Sequence, residues 1–203
     1  MTEISSAVRP HEQLYRAKLA VPEIVDVPPA SFLMIDGRGD PNTSAVYAGA
    51  VQALYSAAYQ IKFAIKKAGG PAERVAPLEG LWWGAEGLDF AAPTKDTWHW
   101  TMMIRLPMAA TDQLITSALA TAVSRRPELA VDRIRIERFA EGLAAQVMHL
   151  GPYADEHATI ELLHAFIADQ GYQRTGRHHE IYLGDPRRTA PARLRTLIRQ
   201  PIR

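Results

Sequence analysis

The sequence predicts an α+β fold built from two copies of a β-α-β-β unit. The first indication is element order, because a strand, a helix and two strands are followed by a connecting helix and then by the same order again. The second is a short repeat, since MIRLPM (103–108) and LIRQPI (197–202) share the pattern apolar-Ile-Arg-x-Pro-apolar. Each unit alone would leave one sheet face bare. We therefore expect a lead-in over residues 1–22 and one domain over 23–203, with halves at about 24–107 and 134–203.

The clearest single element is a helix over residues 44–70. It is rich in alanine, begins at Thr43 or Ser44 as N-cap, and ends at Gly69–Gly70 after two lysines. Elsewhere, β-type residues between Gly and Pro turns predict strands, and apolar residues at helical spacing predict helices. The strands are predicted within 24–42, 78–86, 97–107, 134–153, 178–184 and 196–202, and the other helices over 110–126 and 155–172, with a short helix near 10–18.

Composition excludes several classes of function. The chain has 203 residues, of which 47% are hydrophobic and 22% charged, as is typical of a globular protein. Cysteine is absent, which excludes disulfides and thiolate metal sites. The formal net charge of +1 argues against a nucleic-acid partner, which usually requires a basic excess. No apolar run resembles a signal peptide or a membrane span, so we expect no membrane partner and a cytoplasmic location.

The histidines do not predict a metal site. His178 and His179 are neighbours in a predicted strand and therefore point to opposite faces. His157 and His164 lie two helical turns apart, too far for one ion. No zinc-protease motif or nucleophile elbow is present, so neither a metal, a cofactor nor covalent catalysis is predicted.

A glutamate in the last part of the chain is the main candidate for chemistry. In a strand, Glu180 shares one face with His178 and Tyr182, while the intervening residues share the other face. One interpretation makes Glu180 a solvated residue on an outer face. The other makes this face the wall of a ligand groove, where a partly desolvated carboxylate binds a cation or acts as an acid or base. We favour the groove, with Tyr182 as a ligand contact.

Tryptophan is concentrated in one region. All four tryptophans fall in two adjacent predicted strands: Trp82, Trp83, Trp98 and Trp100. Their flat rings suit a planar aromatic ligand, although at least two should pack in the core. Glu79 precedes a large side chain by two positions, as Glu180 does, and matching the two acids would direct Trp83 to the groove and Trp82 to the core. Trp83 and Trp100 are therefore candidate ligand contacts.

Tyr55 is a further candidate contact. It lies on the predicted helix over 44–70, beside the apolar stripe and four residues before Tyr59. One of these two tyrosines could lean over the rim of the groove. The alternative is a boundary tyrosine with its hydroxyl in water, and the spacing does not separate the two.

Two stretches carry a resemblance to a known family. LEGLWW (78–83) and HHEIYLGDPRRTAPARLRTLIRQPI (178–202) resemble the GyrI-like small-molecule-binding family, over about 24–203. That family is similar to gyrase-inhibitory proteins and to the effector domains of multidrug-sensing MerR-type regulators. The resemblance implies a curved antiparallel sheet with flanking helices and a central ligand groove. It also implies that Glu180 contacts cationic or electrophilic ligands, and that the chain is similar to members that hydrolyse cyclopropane-bearing DNA-alkylating natural products.

Two functions follow, and the sequence does not separate them. The first is binding of planar, apolar, often cationic small molecules, which requires the least of the residues. The alternative is a cofactor-free hydrolase that opens cyclopropane-bearing compounds, with Glu180 as general base or water-positioning group. A protein partner such as DNA gyrase is suggested by family analogy only. Because only about twenty residues precede the first predicted strand, we do not expect the DNA-binding helix-turn-helix of the regulators.

Overall fold

The computed structural model of the protein describes residues 13–71, 73–84 and 95–203. Within these residues the chain forms strands, α-helices and four short 3-10 turns in an order that repeats the β-α-β-β unit. The strands are β1 (Glu23–Val27), β2 (Ala30–Arg38), β3 (Leu78–Trp83), β4 (His99–Arg105), β5 (Arg135–Phe139), β6 (Gly142–Leu150), β7 (His178–Tyr182) and β8 (Arg195–Pro201). The helices are α1 (Ala45–Lys67), α2 (Asp112–Arg125) and α3 (His157–Asp169).

The eight strands form a single curled antiparallel sheet in the order β1-β6-β8-β7-β3-β4-β2-β5. The two halves of the chain meet at its centre, where β7 pairs with β3. The strands that carry the repeated Ile-Arg-x-Pro pattern, β4 and β8, each lie next to this central pair. The duplicated α+β fold is therefore confirmed, and the repeated strands occupy equivalent places in the sheet.

Local sequence explains the element boundaries. Ser44 is the N-cap of α1, and its side-chain oxygen accepts a hydrogen bond from the amide of Tyr47. The predicted strand over 134–153 divides into β5 and β6 at Gly142, whose positive φ of 72° suits glycine. The predicted strand over 78–86 ends earlier, at Trp83, and its last predicted residues lie outside the described part of the chain. So do the first residues of the short helix expected near 10–18.

The helices pack on the outer strands of one sheet face, and among the described residues none packs along its central strands. α1 packs on β2 and β4 and α2 packs on α1, which together enclose the main apolar core. α3 packs on β6 and encloses a second, smaller core. The central strands β3 and β7 lie between these two helical layers, and we call their strip of this side the groove face. The residues from 13 to 22 lie against the opposite side of the sheet, which we call the network face.

The strand register corrects one expectation about the repeat. Leu78 pairs with Ile104 in the first half, and Glu180 pairs with Ile198 in the second. Since Ile104 and Ile198 are equivalent, Leu78 is the counterpart of Glu180. Glu79 lies one position further along, so its side chain points to the network face and not to the groove.

Candidate functional site

Glu180 lies at the centre of the groove face and is only 6% exposed. Its Oε2 atom accepts a hydrogen bond of 2.7 Å from the Tyr182 hydroxyl, and its Oε1 atom lies 3.1 Å from Nε2 of His178. The Tyr182 hydroxyl in turn accepts a hydrogen bond of 3.0 Å from Nε1 of Trp82. The carboxylate is therefore held by a chain of donors that runs from the indole through the phenol.

Burial keeps this chain of donors protonated. Burial raises the pKa of Tyr182 well above its ordinary value, and the charge of Glu180 raises it further. The same two causes raise the pKa of Tyr47, which faces the carboxylate from α1. Both phenols consequently keep their protons at physiological pH and do not compete with Glu180 for a cation.

Aromatic rings surround the carboxylate. Tyr47 lies 6.0 Å from Trp82 between ring centroids, at a tilt of 31°, and Tyr153 meets Tyr182 edge-on at 5.5 Å. These rings line an open cleft of about 2080 Å³ that extends along α1 and also reaches Tyr55. Tyr55 is partly exposed at the rim of this cleft. The cleft thus offers apolar, flat surfaces beside one buried negative charge.

A glycine opposite Glu180 makes room for the indole. Gly80 of β3 pairs with Glu180 of β7, so both point to the groove face. A Cβ atom on Gly80 would lie 2.7 Å from Nε1 of Trp82 and 3.2 Å from Sδ of Met102. Only a residue without a side chain lets Trp82 fold back far enough to donate to Tyr182.

A second carboxyl group lies beside the first. Glu156 immediately precedes α3, lines the same cleft and is 5% exposed. Burial, and after it the charge of Glu180, raises the pKa of Glu156 to about 9. Glu156 is therefore protonated at neutral pH, and the site contains a carboxylic acid next to Glu180.

Two of the predicted contact residues lie away from the cleft. Trp83 is on the network face, where its ring stacks on that of His99 with 5.7 Å between centroids. The Arg177 guanidinium lies 3.7 Å from the centroid of the Trp83 ring. Trp100 is fully buried in the main core, with its ring against Gly37. Of the predicted contact residues, Glu180, Tyr182 and the rim residue Tyr55 line one cleft, whereas Trp83 and Trp100 do not.

The network face carries a different cluster of charges. His179 lies between Glu79, at 3.0 Å, and Glu141, at 2.8 Å, and Arg199 lies 3.0 Å from the second oxygen of Glu141. Tyr15 from the covering segment donates a hydrogen bond of 2.7 Å to Glu79. Burial alone would lower the pKa of His179, but the two carboxylates raise it to about 9. This cluster is a closed set of ion pairs.

Sequence reasoning did not assign Trp82, Tyr47, Tyr153 or Glu156 to the site. Trp82 has the same strand parity as Leu78, so the correct match of the two halves would have placed it on the same face as Glu180 and Tyr182. Glu156 stands where a helix begins and resembles an ordinary capping residue. Within the described ranges, no group of three His, Asp or Glu side chains is arranged to hold a metal ion. No helix there combines the length and apolar character needed to cross a membrane.

Comparison with solved structures finds close relatives of the same length. An uncharacterized conserved protein from Listeria innocua is 36% identical, with a TM-score of 0.86, and the match covers 95% of this chain and 97% of that one. A protein described as a hydrolase from Listeria innocua is 35% identical, with the same coverage and a TM-score of 0.81. The EcmrR C-terminal domain is 13% identical at a TM-score of 0.57 over 90% of this chain and 97% of that one, a likeness of fold alone. No curated protein matches.

The family comparison agrees with the resemblance found in the sequence. The profile of the GyrI-like small molecule binding domain matches residues 20–203, which include every strand and helix described above. Both halves of the groove face lie within this match. The chain therefore belongs to the GyrI-like small-molecule-binding domain family.

Proposed function

We propose that the protein is a hydrolase that binds planar, apolar small molecules in the groove and opens strained, electrophilic rings with water. The observation that carries this proposal is Glu180, a buried carboxylate on the central strand β7 that lines the cleft. Tyr182 and His178 hold its side chain in the lining of the cleft, where a partly desolvated carboxylate can bind a cation or act as an acid or base. The relatives described as hydrolases, at 35% identity and equal length, support chemistry rather than binding alone.

The aromatic rings would select the ligand. Trp82, Tyr47 and Tyr153 present ring faces or edges beside Glu180, and offset or edge-on contacts with a planar ligand are favourable. The negative charge of Glu180 would favour a cationic or electron-poor ligand over an anionic one, because the charge is screened little in a buried site. The expected substrates are therefore planar aromatic compounds that carry an electrophilic centre, such as cyclopropane-bearing alkylators.

The reaction requires little from the protein because ring strain supplies much of the driving force. In a spirocyclopropyl cyclohexadienone, the water oxygen bonds to a methylene carbon of the cyclopropane while the carbon–carbon bond to the dienone ring breaks. The electron pair of that bond moves to the carbonyl oxygen and produces a phenolate, which then takes up a proton. Glu180 accepts one proton from the water, a contribution of about a hundredfold to ten-thousandfold for a positioned base. The product is the substrate plus one water.

Binding without turnover is the second candidate function. Aromatic rings around a buried carboxylate are also what a cation-binding site needs, since a ring face attracts positive charge and the carboxylate compensates it. Planar cations would then bind and be released unchanged. The membership of a small-molecule-binding family fits this function as well as it fits the first.

The experiment that separates the two functions is incubation with a planar aromatic compound that carries a spirocyclopropyl dienone. Mass analysis should show conversion to a product heavier by one water, faster than in buffer alone. Titration with a planar cation without the cyclopropane, followed by calorimetry, measures binding independently. Binding without addition of water would support the second function. If the protein showed neither binding nor hydrolysis, the groove would be rejected as the site.

A further inference from the structure

Glu156 is a buried acid that its place in the fold does not explain. It is the residue before the first turn of α3, where a carboxylate usually accepts hydrogen bonds from the helix amides. Here the side chain makes no capping hydrogen bond, and its Oε1 atom is buried without a hydrogen-bond partner among the residues that the structure describes. Glu156 thus points into the cleft at the expense of capping.

The surroundings of Glu156 keep it neutral. The groups that act on it are the Glu180 carboxylate on β7, the Thr196 hydroxyl on β8, Tyr153 in the preceding turn, and Lys95 as a cation. Burial and the charge of Glu180 raise its pKa to about 9, and they outweigh Thr196 and Lys95, which act in the opposite direction. At neutral pH this part of the cleft therefore holds one carboxylic acid proton.

We propose that Glu156 is the proton donor of the hydrolysis and the acid partner of Glu180. The inference rests on the proposed function, because it assigns the proton that the ring-opened product must receive. As the cyclopropane bond breaks, the Glu156 carboxyl O–H gives its proton to the oxygen that becomes the phenol. At the same step Glu180 takes a proton from the attacking water. The substrate gains one water, Glu156 becomes a carboxylate and Glu180 becomes a carboxylic acid.

Proton transfer between Glu180 and Glu156 restores the starting state of the site. After the reaction Glu180 carries the proton and Glu156 does not, which is the reverse of the starting state. Both side chains are buried in the lining of the same cleft, so the proton can return from Glu180 to Glu156 without leaving the site. No external acid or base and no further reactant is needed, so the pair can act again as soon as the product leaves.

The test uses a series of spirocyclopropyl dienones on one planar aromatic body, substituted so that their phenol products differ in acidity. A donor is most needed when the leaving oxygen is basic, so wild-type kcat should vary little across the series. In Glu156→Gln, kcat should fall about a hundredfold for the least acidic phenol and much less for the most acidic one. Affinity for an unreactive planar analogue should stay within about threefold, because the variant keeps shape and removes only the proton.

The pH profile gives a readout that a purely structural role would not move. Wild-type kcat should fall as pH rises through about 9, when Glu156 loses its proton. Glu156→Gln should lack this alkaline fall. The control is Glu137→Gln, the same substitution at an exposed position outside the cleft, which should behave as wild type in rate and in profile.

Several results would overturn the proposal. An alkaline fall that persists in Glu156→Gln, or an equal loss of kcat across the whole substrate series, would show that Glu156 does not donate the proton. If the Glu156→Gln variant fails to fold, the substrate series with the wild-type protein still tests the proposal. A wild-type kcat that depends steeply on the acidity of the phenol product would show that no group protonates the leaving oxygen. A wild-type protein that adds water to no member of the series fails the proposed function itself and, with it, this inference.

Discussion

The two faces of β7 hold acidic side chains in opposite ways. On the network face, His179 lies between Glu79 and Glu141 and Arg199 contacts Glu141, so each carboxylate has a cationic partner within 3.0 Å. On the groove face, Glu180 has His178 and Tyr182 as hydrogen-bond partners, and the other acidic group in the cleft, Glu156, keeps its proton. The same strand therefore carries a balanced set of charges on one side and an unbalanced pair on the other.

This difference between the two faces indicates that one stabilises the fold and the other acts on a ligand. A buried ion pair with every partner in place is costly to break, because the remaining charge is left desolvated. A pair of carboxyl groups with opposed protonation gains little for the fold, and such pairs are common where acid and base act together. We therefore expect substitutions on the network face to change unfolding and substitutions on the groove face to change ligand chemistry.

The largest expected effect is on the network face. Arg199→Met should lower the free energy of unfolding by about 3–5 kcal/mol, because Glu141 loses a buried cation and Gln146 loses a donor. Denaturant unfolding followed by circular dichroism measures it. Arg195→Met is the matched control, on the same strand and face but exposed, and should change stability by less than about 0.5 kcal/mol. Equal effects of the two substitutions would contradict a stabilising network.

The next effect is the pH dependence of stability. The pKa of His179 is raised from 6.5 to about 9 in the folded protein, so protonation favours folding. Its contribution is complete below about pH 6.5 and is lost as pH rises through 9, on the order of 3 kcal/mol. The raised pKa of Glu156 acts in the same direction from 4.5 upwards. Unfolding should therefore be measured in Glu156→Gln, where a flat profile between pH 6.5 and 9 would show that His179 is not held as a cation.

The smallest effect concerns the tryptophans. Trp82→Phe removes the donor to Tyr182 and part of the groove wall, so affinity for a planar ligand should fall by about 0.5–1.5 kcal/mol. Trp83→Phe should leave affinity unchanged, because Trp83 stacks on His99 on the network face. Isothermal calorimetry is the suitable measurement, since both substitutions alter the intrinsic fluorescence. A larger loss of affinity in Trp83→Phe would place the ligand on the other face.

The fold was predictable because its signals are local or repeated. The cap at Ser44, the turn at Gly142 and the repeated Ile-Arg-x-Pro pattern each depend on residues close together in sequence, and the structure keeps all three. Strand parity also places Glu180 and Tyr182 on one face, as expected. These features do not depend on how the two halves face each other.

The composition of the site depended on register and was harder to predict. Matching Glu79 to Glu180 is off by one position, and a slip of one residue moves every side chain of a strand to the other face. That slip is why Trp83 was expected in the groove in place of Trp82. Tyr47, Tyr153 and Glu156 reach the site from helix ends and turns of both halves, and their positions follow from tertiary packing that spacing does not encode.

The central claim is that Glu180 serves function whereas Glu79, on the adjacent strand, serves the fold. The most direct test is to compare Glu180→Gln with Glu79→Gln in one preparation, measuring kcat on a spirocyclopropyl dienone and the free energy of unfolding. Glu180→Gln should lose at least about a hundredfold in kcat and keep its stability. Without the charge of Glu180 the pKa of Glu156 moves back toward its ordinary value, and this gain offsets the lost hydrogen bonds. Glu79→Gln should lose stability and keep kcat. A Glu180→Gln protein that turns over like the wild type, or one that loses as much stability as Glu79→Gln, would contradict the account.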